Sequence, residues 1–202
     1  MTSPSPITRN LARGVAHTSL GICFAVGLLL FPKNLVVAVS ASLTGLFILA
    51  ELARFVFPRF REWLSVRLRL FLRAEEGSKV SGATYFLIGG SLTAALFPSE
   101  IAVIAILFLA FGDPSAGLVG RWKSGKRMWR KSLEGNLACL AVCLAVSAVA
   151  APLLGKPELF VVFTGSVFAT LFQAIDLRLN DNVTIPLGSA AAMLLLTQVL
   201  AV

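Results

Sequence analysis

An all-α fold, a polytopic bundle of transmembrane helices, is what this sequence predicts, and three observations carry the prediction. Hydrophobic residues make up 57% of the 202 positions and charged residues 14%, with a mean hydropathy of +0.85. A soluble domain is nearer a quarter charged, and so short a chain has too little polar skin to enclose that much apolar surface. Long apolar runs recur at about 15–31, 35–57, 80–97, 100–120, 133–154, 159–177 and 183–201, each near the length a helix needs to cross hydrocarbon. Finally, the basic residues fall almost entirely into alternate breaks between these runs, the pattern that orients helices in a membrane. About seven spans consume most of the chain, so residues 1–202 are expected to form a single integral membrane domain.

Each element has its own justification. The first run resembles a signal peptide, with Val39-Ser40-Ala41 as a cleavage-like site, but a second apolar run continues through that site and favours an uncleaved helix. Gly, Ser, Thr and Ala are scattered through the runs, as close helix packing in lipid requires. Turn chemistry marks the breaks at Pro32-Lys33-Asn34, Pro98-Ser99-Glu100, Gly155-Lys156-Pro157 and Asn180-Asp181-Asn182. No internal repeat is evident, which weighs against an inverted-repeat transporter. The segment 59–73 (RFREWLSVRLRLFLR) is too charged to span and suits the membrane interface, in helical or extended form. Cys23, Cys139 and Cys143 all fall in apolar runs; without a third or fourth soft ligand, buried thiols are favoured over zinc.

Counting Lys and Arg by loop sets the orientation. Sixteen of the 18 lie in the N-terminal tail, segment 54–79, segment 121–131 and the sixth-to-seventh loop, and only Lys33 and Lys156 lie opposite. The N-terminus and the basic loop 121–131 are therefore expected in the cytoplasm and, for seven spans, the C-terminus outside. The net charge of +8 then reads as this bias plus attraction to anionic lipid headgroups rather than as nucleic-acid binding.

Candidate chemistry concentrates on that same side. Asp113 lies about eight residues, about 12 Å, inside the inner end of the fourth run. A carboxylate at that depth costs about 2.5–3.5 kcal/mol and should be paired, metal-bound or turned to a wet cavity. Asp113-Pro114 reads as a helix restart, with Asp as N-cap and Pro at the first helical position, and a broken helix there would expose amides to an anion. Gly120-Arg121-Trp122-Lys123-Ser124-Gly125-Lys126 matches the phosphate-loop spacing G-x-x-x-x-G-K. Arg127 occupies the Ser/Thr position and no buried strand precedes the motif, so the corresponding fold is excluded. Its glycines and the charges of Arg121, Lys126 and Lys131 still suit phosphate. Lys131-Ser132-Leu133-Glu134-Gly135-Asn136 opens the fifth span with Ser132 as N-cap. Glu134 and Asn136 are site candidates or ordinary helix-start residues. Asp176, Asp181, Asn182 and Thr184 bring oxygen ligands before and into the seventh span, suited to magnesium nucleotide. Arg13 and His17 share a helix face, Glu51 and Arg54 either pair with one another or serve the site, and Arg73, Glu75 and Glu76 precede the third span.

In this order the residues resemble the CTP-dependent lipid kinase family, which includes dolichol kinase, yeast-type diacylglycerol kinase and phytol kinase. The segments carrying the resemblance are Arg13-Gly-Val-Ala-His17, Glu51-Leu-Ala-Arg54, Arg73-Ala-Glu75 with Gly77 and Gly82, and Gly112-Asp113-Pro-Ser-Ala116 with Gly120 and Gly125-Lys126. Lys131-Ser132-Leu-Glu134-Gly135-Asn136 and Asn180-Asp181-Asn182-Val-Thr184-Ile-Pro186 complete the set, which covers nearly the whole chain. Four departures stand out: Gly14 where the family has lysine, Glu51 and Asn180 for aspartate, and Asn136 for serine. The Asn180 change leaves Asp181 as the metal ligand of its motif.

The resemblance implies transfer of the γ-phosphoryl group of CTP to the hydroxyl of a membrane lipid alcohol, diacylglycerol or a polyprenol ahead of phytol. It further implies Mg2+ or another divalent cation held by Asp113, Asp181 and Glu134, with phosphate and nucleotide contacts from Gly112, Gly120, Arg121, Gly125, Lys126, Lys131, Ser132, Glu134, Gly135 and Asn136. Arg13, Arg54, Arg73, Glu75, Asn182 and Thr184 are further motif residues, and the proton acceptor is Asp113, Asp181 or His17. The site would face the cytoplasm, in the cytoplasmic membrane of a prokaryote or the endoplasmic reticulum of a eukaryote. Two alternatives remain: a cytidylyltransferase acting on phosphatidate, which releases pyrophosphate where a kinase releases CDP, and a small transporter using Asp113 as a coupling site. Clustering of the polar residues at one face, not through the midplane, weighs against the transporter.

Overall fold

A computed structural model describes residues 6–67, 79–122, 127–128, 131–175, 177 and 179–201. In chain order these form α1 (Pro6–Leu30), α2 (Lys33–Val56), α3 (Pro58–Arg67), α4 (Gly82–Leu96) and α5 (Ser99–Leu107). A π-helical turn (Phe108–Gly112) carries α5 without interruption into α6 (Asp113–Trp122). Two-residue strands β1 (Arg127–Met128) and β2 (Lys131–Ser132) follow, then α7 (Leu133–Leu154), α8 (Leu159–Ala174) and α9 (Asp181–Leu200). The fold is the expected all-α membrane bundle. Five segments, Asn10–Leu30, Lys33–Val56, Ser99–Arg121, Leu133–Leu154 and Asp181–Leu200, are long and apolar enough to cross a bilayer, and α4 and α8 are shorter apolar helices. Together they account for the seven apolar runs.

The α5–π–α6 unit forms the axis of the bundle. Every residue from Ile101 to Ile106 is buried, as are Phe108, Leu109 and Ala110, and α5 packs against α1, α4, α7, α8 and α9. A helix apolar on all sides belongs in the middle of such an assembly. The outer faces are apolar too: Leu46, Leu49, Leu153 and Val199 are each more than 60% exposed, a surface that suits lipid rather than water. At one end, Lys33 Nζ donates to the carbonyl of Phe97 at 2.7 Å and joins the α1–α2 turn to the end of α4. Gly155 closes α7 in the left-handed conformation (φ 68°), which glycine adopts without steric cost.

Three local expectations need correction. Asp113 has helical φ and ψ (−63°, −46°), so it is not an N-cap and the helix does not restart; the chain passes Pro114 through a π-helical turn instead. Arg127 pairs with Ser132 and Met128 with Lys131 in a two-residue antiparallel ladder, where only a basic loop was expected. The helix of the sixth apolar run ends at Ala174, short of the end of the run near 177. The segment expected at the interface is helical over Pro58–Arg67, with Trp63 and Val66 exposed; the rest of 59–73 lies outside the described residues.

Candidate active site

Proline at position 114 cannot donate the backbone bond that Ala110, four residues earlier, would accept. The π-helical turn is the local response, and α1 supplies the missing donors. Thr18 Oγ1 donates to the carbonyl of Ala110 at 2.8 Å, and His17 Nε2 lies 3.3 Å from the carbonyl of Leu109. Such turns inserted in α-helices recur at functional sites. Gly21 makes the approach possible, because a Cβ there would come within 2.2 Å of the Cβ of Ala110. Gly14, the departure from the family pattern, faces Pro114. The His17 ring meets Phe86 edge-on, with centroids 4.6 Å apart. Asp113, the next residue after the turn, is half-buried and lies within electrostatic reach of His17, as does Arg13.

Beyond Asp113, α6 crosses α7 through glycine contacts. A Cβ on Gly135 would lie 2.9 Å from the Ala116 carbonyl and 3.4 Å from Gly120 Cα; one on Gly120 would lie 2.7 Å from Ser132 Oγ. Both glycines thus serve helix packing. Gly112 packs likewise against the thiols of Cys139 and Cys143, which are buried and free as expected; Cys23, also expected to be buried, is instead exposed on α1. Ser132 is the N-cap of α7, its Oγ accepting from the Gly135 amide at 3.1 Å. At this crossing Glu134 Oε2 and both polar side-chain atoms of Asn136 are buried with no hydrogen-bond partner among the described residues. Buried polar atoms are nearly always paired, which makes this crossing a candidate contact for a ligand.

The start of α9 reaches the same end. Asn180 Oδ1 accepts from the Asn182 amide at 3.0 Å and caps the helix, a role that asparagine and aspartate fill equally well. Asp181 stands half-buried in the first turn, while Asn182 and Thr184 are buried. Asn182 Nδ2 donates to the Gly82 carbonyl at 2.9 Å. Glu51 and Arg54 form the buried ion pair anticipated as one of their two roles. Glu51 Oε1 also accepts from the Ser81 amide at 2.9 Å and from Thr84 Oγ1 at 3.2 Å, and Arg54 donates to the Lys79 carbonyl at 2.6 Å. The pair ties α2 to the start of α4.

Arg121 is exposed in the last turn of α6, and Lys131 takes part in β2 through its backbone. Gly125, Lys126, Arg73, Glu75, Glu76, Gly77 and Asp176 lie outside the described residues. Among the described residues no group of three or more His, Cys, Asp or Glu is placed to hold a metal ion, so Asp113, Asp181 and Glu134 do not share one protein-only centre. The donors still fit magnesium in its usual setting, one or two carboxylates plus phosphate oxygens, since Glu134 Oε2 and Asn136 Oδ1 are unpartnered oxygen ligands. Sequence reasoning missed Thr18, whose signal is its place next to His17, and Gln173 on α8, a lone buried carboxamide near the inner end of an apolar run.

No protein-family model matches the chain, and no solved structure matches it. Among curated proteins it is 29% identical to the CTP-dependent diacylglycerol kinase 1 of Schizosaccharomyces pombe, over 72% of this chain and 74% of that one. It is 27% identical to the protein of the same name from Saccharomyces cerevisiae, over 91% and 72%. An uncharacterized protein of Methanocaldococcus jannaschii is 29% identical over 88% and 89%.

Proposed function

We propose that this chain, whose curated relatives support its place in the CTP-dependent lipid kinase family, transfers the γ-phosphoryl group of CTP to the hydroxyl of a neutral membrane lipid. Diacylglycerol is the favoured acceptor, because it appears in the names of the relatives. The observation that supports the reading is a pair of packed helices: α6, which opens on Asp113 after the π-helical turn, and α7, whose first turn carries the unpartnered Glu134 and Asn136.

Phosphoryl transfer asks for alignment and charge neutralisation more than covalent help. The lipid oxygen attacks the γ-phosphorus, the bond to the CDP oxygen breaks, and the hydroxyl proton passes to a carboxylate. His17 Nε2 is already turned to the Leu109 carbonyl, which favours Asp113 over His17 as that acceptor. Arg121, Lys126 and Lys131 neutralise phosphate charge from the basic loop, and Glu134 and Asp181 orient the nucleotide. A divalent cation, when bound with the nucleotide, withdraws charge from the phosphate oxygens. Sixteen of the 18 basic residues belong to the breaks on the site's side, which supports a cytoplasmic active face.

The test is transfer from γ-labelled CTP, with ATP in parallel, to diacylglycerol, polyprenol, phytol and farnesol in mixed micelles. Labelled lipid and CDP are expected from CTP, with transfer reduced at least 100-fold in Asp113→Asn. Pyrophosphate as product would assign the chain to cytidylyl transfer, and undiminished transfer by Asp113→Asn would remove that residue from the mechanism.

A further inference from the structure

We infer that Gln173 is a binding residue for the uncharged headgroup of the acceptor lipid and acts together with Asn136. Gln173 is 1% exposed and Asn136 3%, and in both the amide nitrogen and the amide oxygen lack a partner among the described residues. Leaving such a group dry and unpaired is destabilising, so two on one interface call for a ligand.

The register of α7 and α8 places them. Ser147 Oγ and Ser166 Oγ are 2.7 Å apart across this antiparallel interface. Gln173 follows Ser166 by seven residues and Asn136 precedes Ser147 by eleven, two and three helical turns, so both return to the stripe on which the serines meet. They lie about 10 Å and about 16 Å from the serine pair toward the same end, hence about 6 Å apart along the bundle. Neither amide bonds the other, and an axial offset of about one turn lets one hydroxyl or ester group reach both side chains. Gly112 packs against Cys139 and Cys143 on the same helix, which sets Asp113 within about one turn (about 5 Å) of the depth of Gln173.

The chemistry of the pair selects its ligand. Two carboxamides offer donors and acceptors without charge, and Cys143 and Ala169 on either side are fully buried. An anionic phosphate gains no counter-charge there and would be poorly solvated. A hydroxyl and an ester carbonyl arriving from the leaflet are matched on both sides. Gln173 therefore reads the neutral acceptor at about the depth of Asp113, while the nucleotide is held nearer the face. The identity of the lipid rests on the kinase reading; the site does not.

Gln173→Met keeps the length of the side chain and removes the unpaired amide. A merely structural Gln173 predicts a variant that is as stable or more stable with unchanged kinetics. The inference predicts an equal or higher melting temperature together with a KM for diacylglycerol raised at least 10-fold and a KM for CTP changed less than 2-fold. An unchanged lipid KM, or a shift in the CTP KM alone, overturns it. Photolabelling the full chain with a diazirine-bearing diacylglycerol reads the site without turnover. Label on the 169–177 and 136–143 peptides, lost in both Gln173→Met and Gln173→Leu and not displaced by phosphatidate, supports the inference even if no lipid accepts phosphate. Transfer by the wild-type chain with label elsewhere overturns it and leaves the kinase reading standing.

Discussion

Thr18 ties the turn that precedes Asp113 to α1 through a single hydroxyl. Its bond to Ala110 occupies a carbonyl that Pro114 leaves free, and without it the π-helical turn before Asp113 has one fewer tie to α1. Thr18→Val, nearly identical in shape, should lower stability in detergent by about 1–3 kcal/mol, the cost of a buried acceptor left unmatched. Thr18→Ser should restore most of the loss. On the proposed mechanism Thr18→Val also lowers kcat more than the KM for CTP, since it shifts Asp113 rather than removing a contact. Asp113 itself was recognisable from its depth in an apolar run. Its backbone conformation was not, because Asp-Pro serves equally as a helix start and as the site of a π-helical turn. What favours the second is the pair of donors on α1, about a hundred residues away.

Helix crossings explain why several motif glycines occur where they do. Gly135 approaches the Ala116 backbone so closely that Gly135→Ala must push α6 and α7 apart, with an expected loss of about 1–3 kcal/mol. Gly45 on α2 has no atom within 4 Å of an added Cβ, so Gly45→Ala should leave the thermal midpoint unchanged or raise it. The contrast separates packing glycines from incidental ones in a single melting series. Glu51 belongs to this scale as well, because its oxygens bind both Arg54 and the start of α4. Glu51→Ala leaves the buried Arg54 without its counter-charge and should cost about 3–5 kcal/mol. Loss of folded protein, rather than loss of turnover by folded protein, would identify the role as structural. The Ser132 cap and the boundaries of α7 were readable in advance from the cap residue and the unbroken apolar run. The crossing at Gly120 was not, since G-x-x-x-x-G-K spacing suggests a phosphate cradle just as readily.

The bundle as a whole brings the described motif segments from α1, α2, α4, α6, α7 and α9 to one end, and the charge count predicts that this end is cytoplasmic. In a chain with Cys23, Cys139 and Cys143 replaced by alanine, Lys156→Cys should react with an impermeant maleimide in intact cells. Arg121→Cys should react only after the membrane is opened; the reverse pattern would invert the topology. The all-α membrane class, the seven apolar segments, their approximate ends and the sidedness of charge were all readable from composition and spacing. Those properties come from transfer of each segment into hydrocarbon, a local free energy that neighbours change little. The π-helical turn at Phe108–Gly112, the bonds of Glu51 to the start of α4 and the burial of Gln173 and Asn136 depend on which helix faces which. That choice is made by packing between residues far apart in the chain, and no local pattern encodes it.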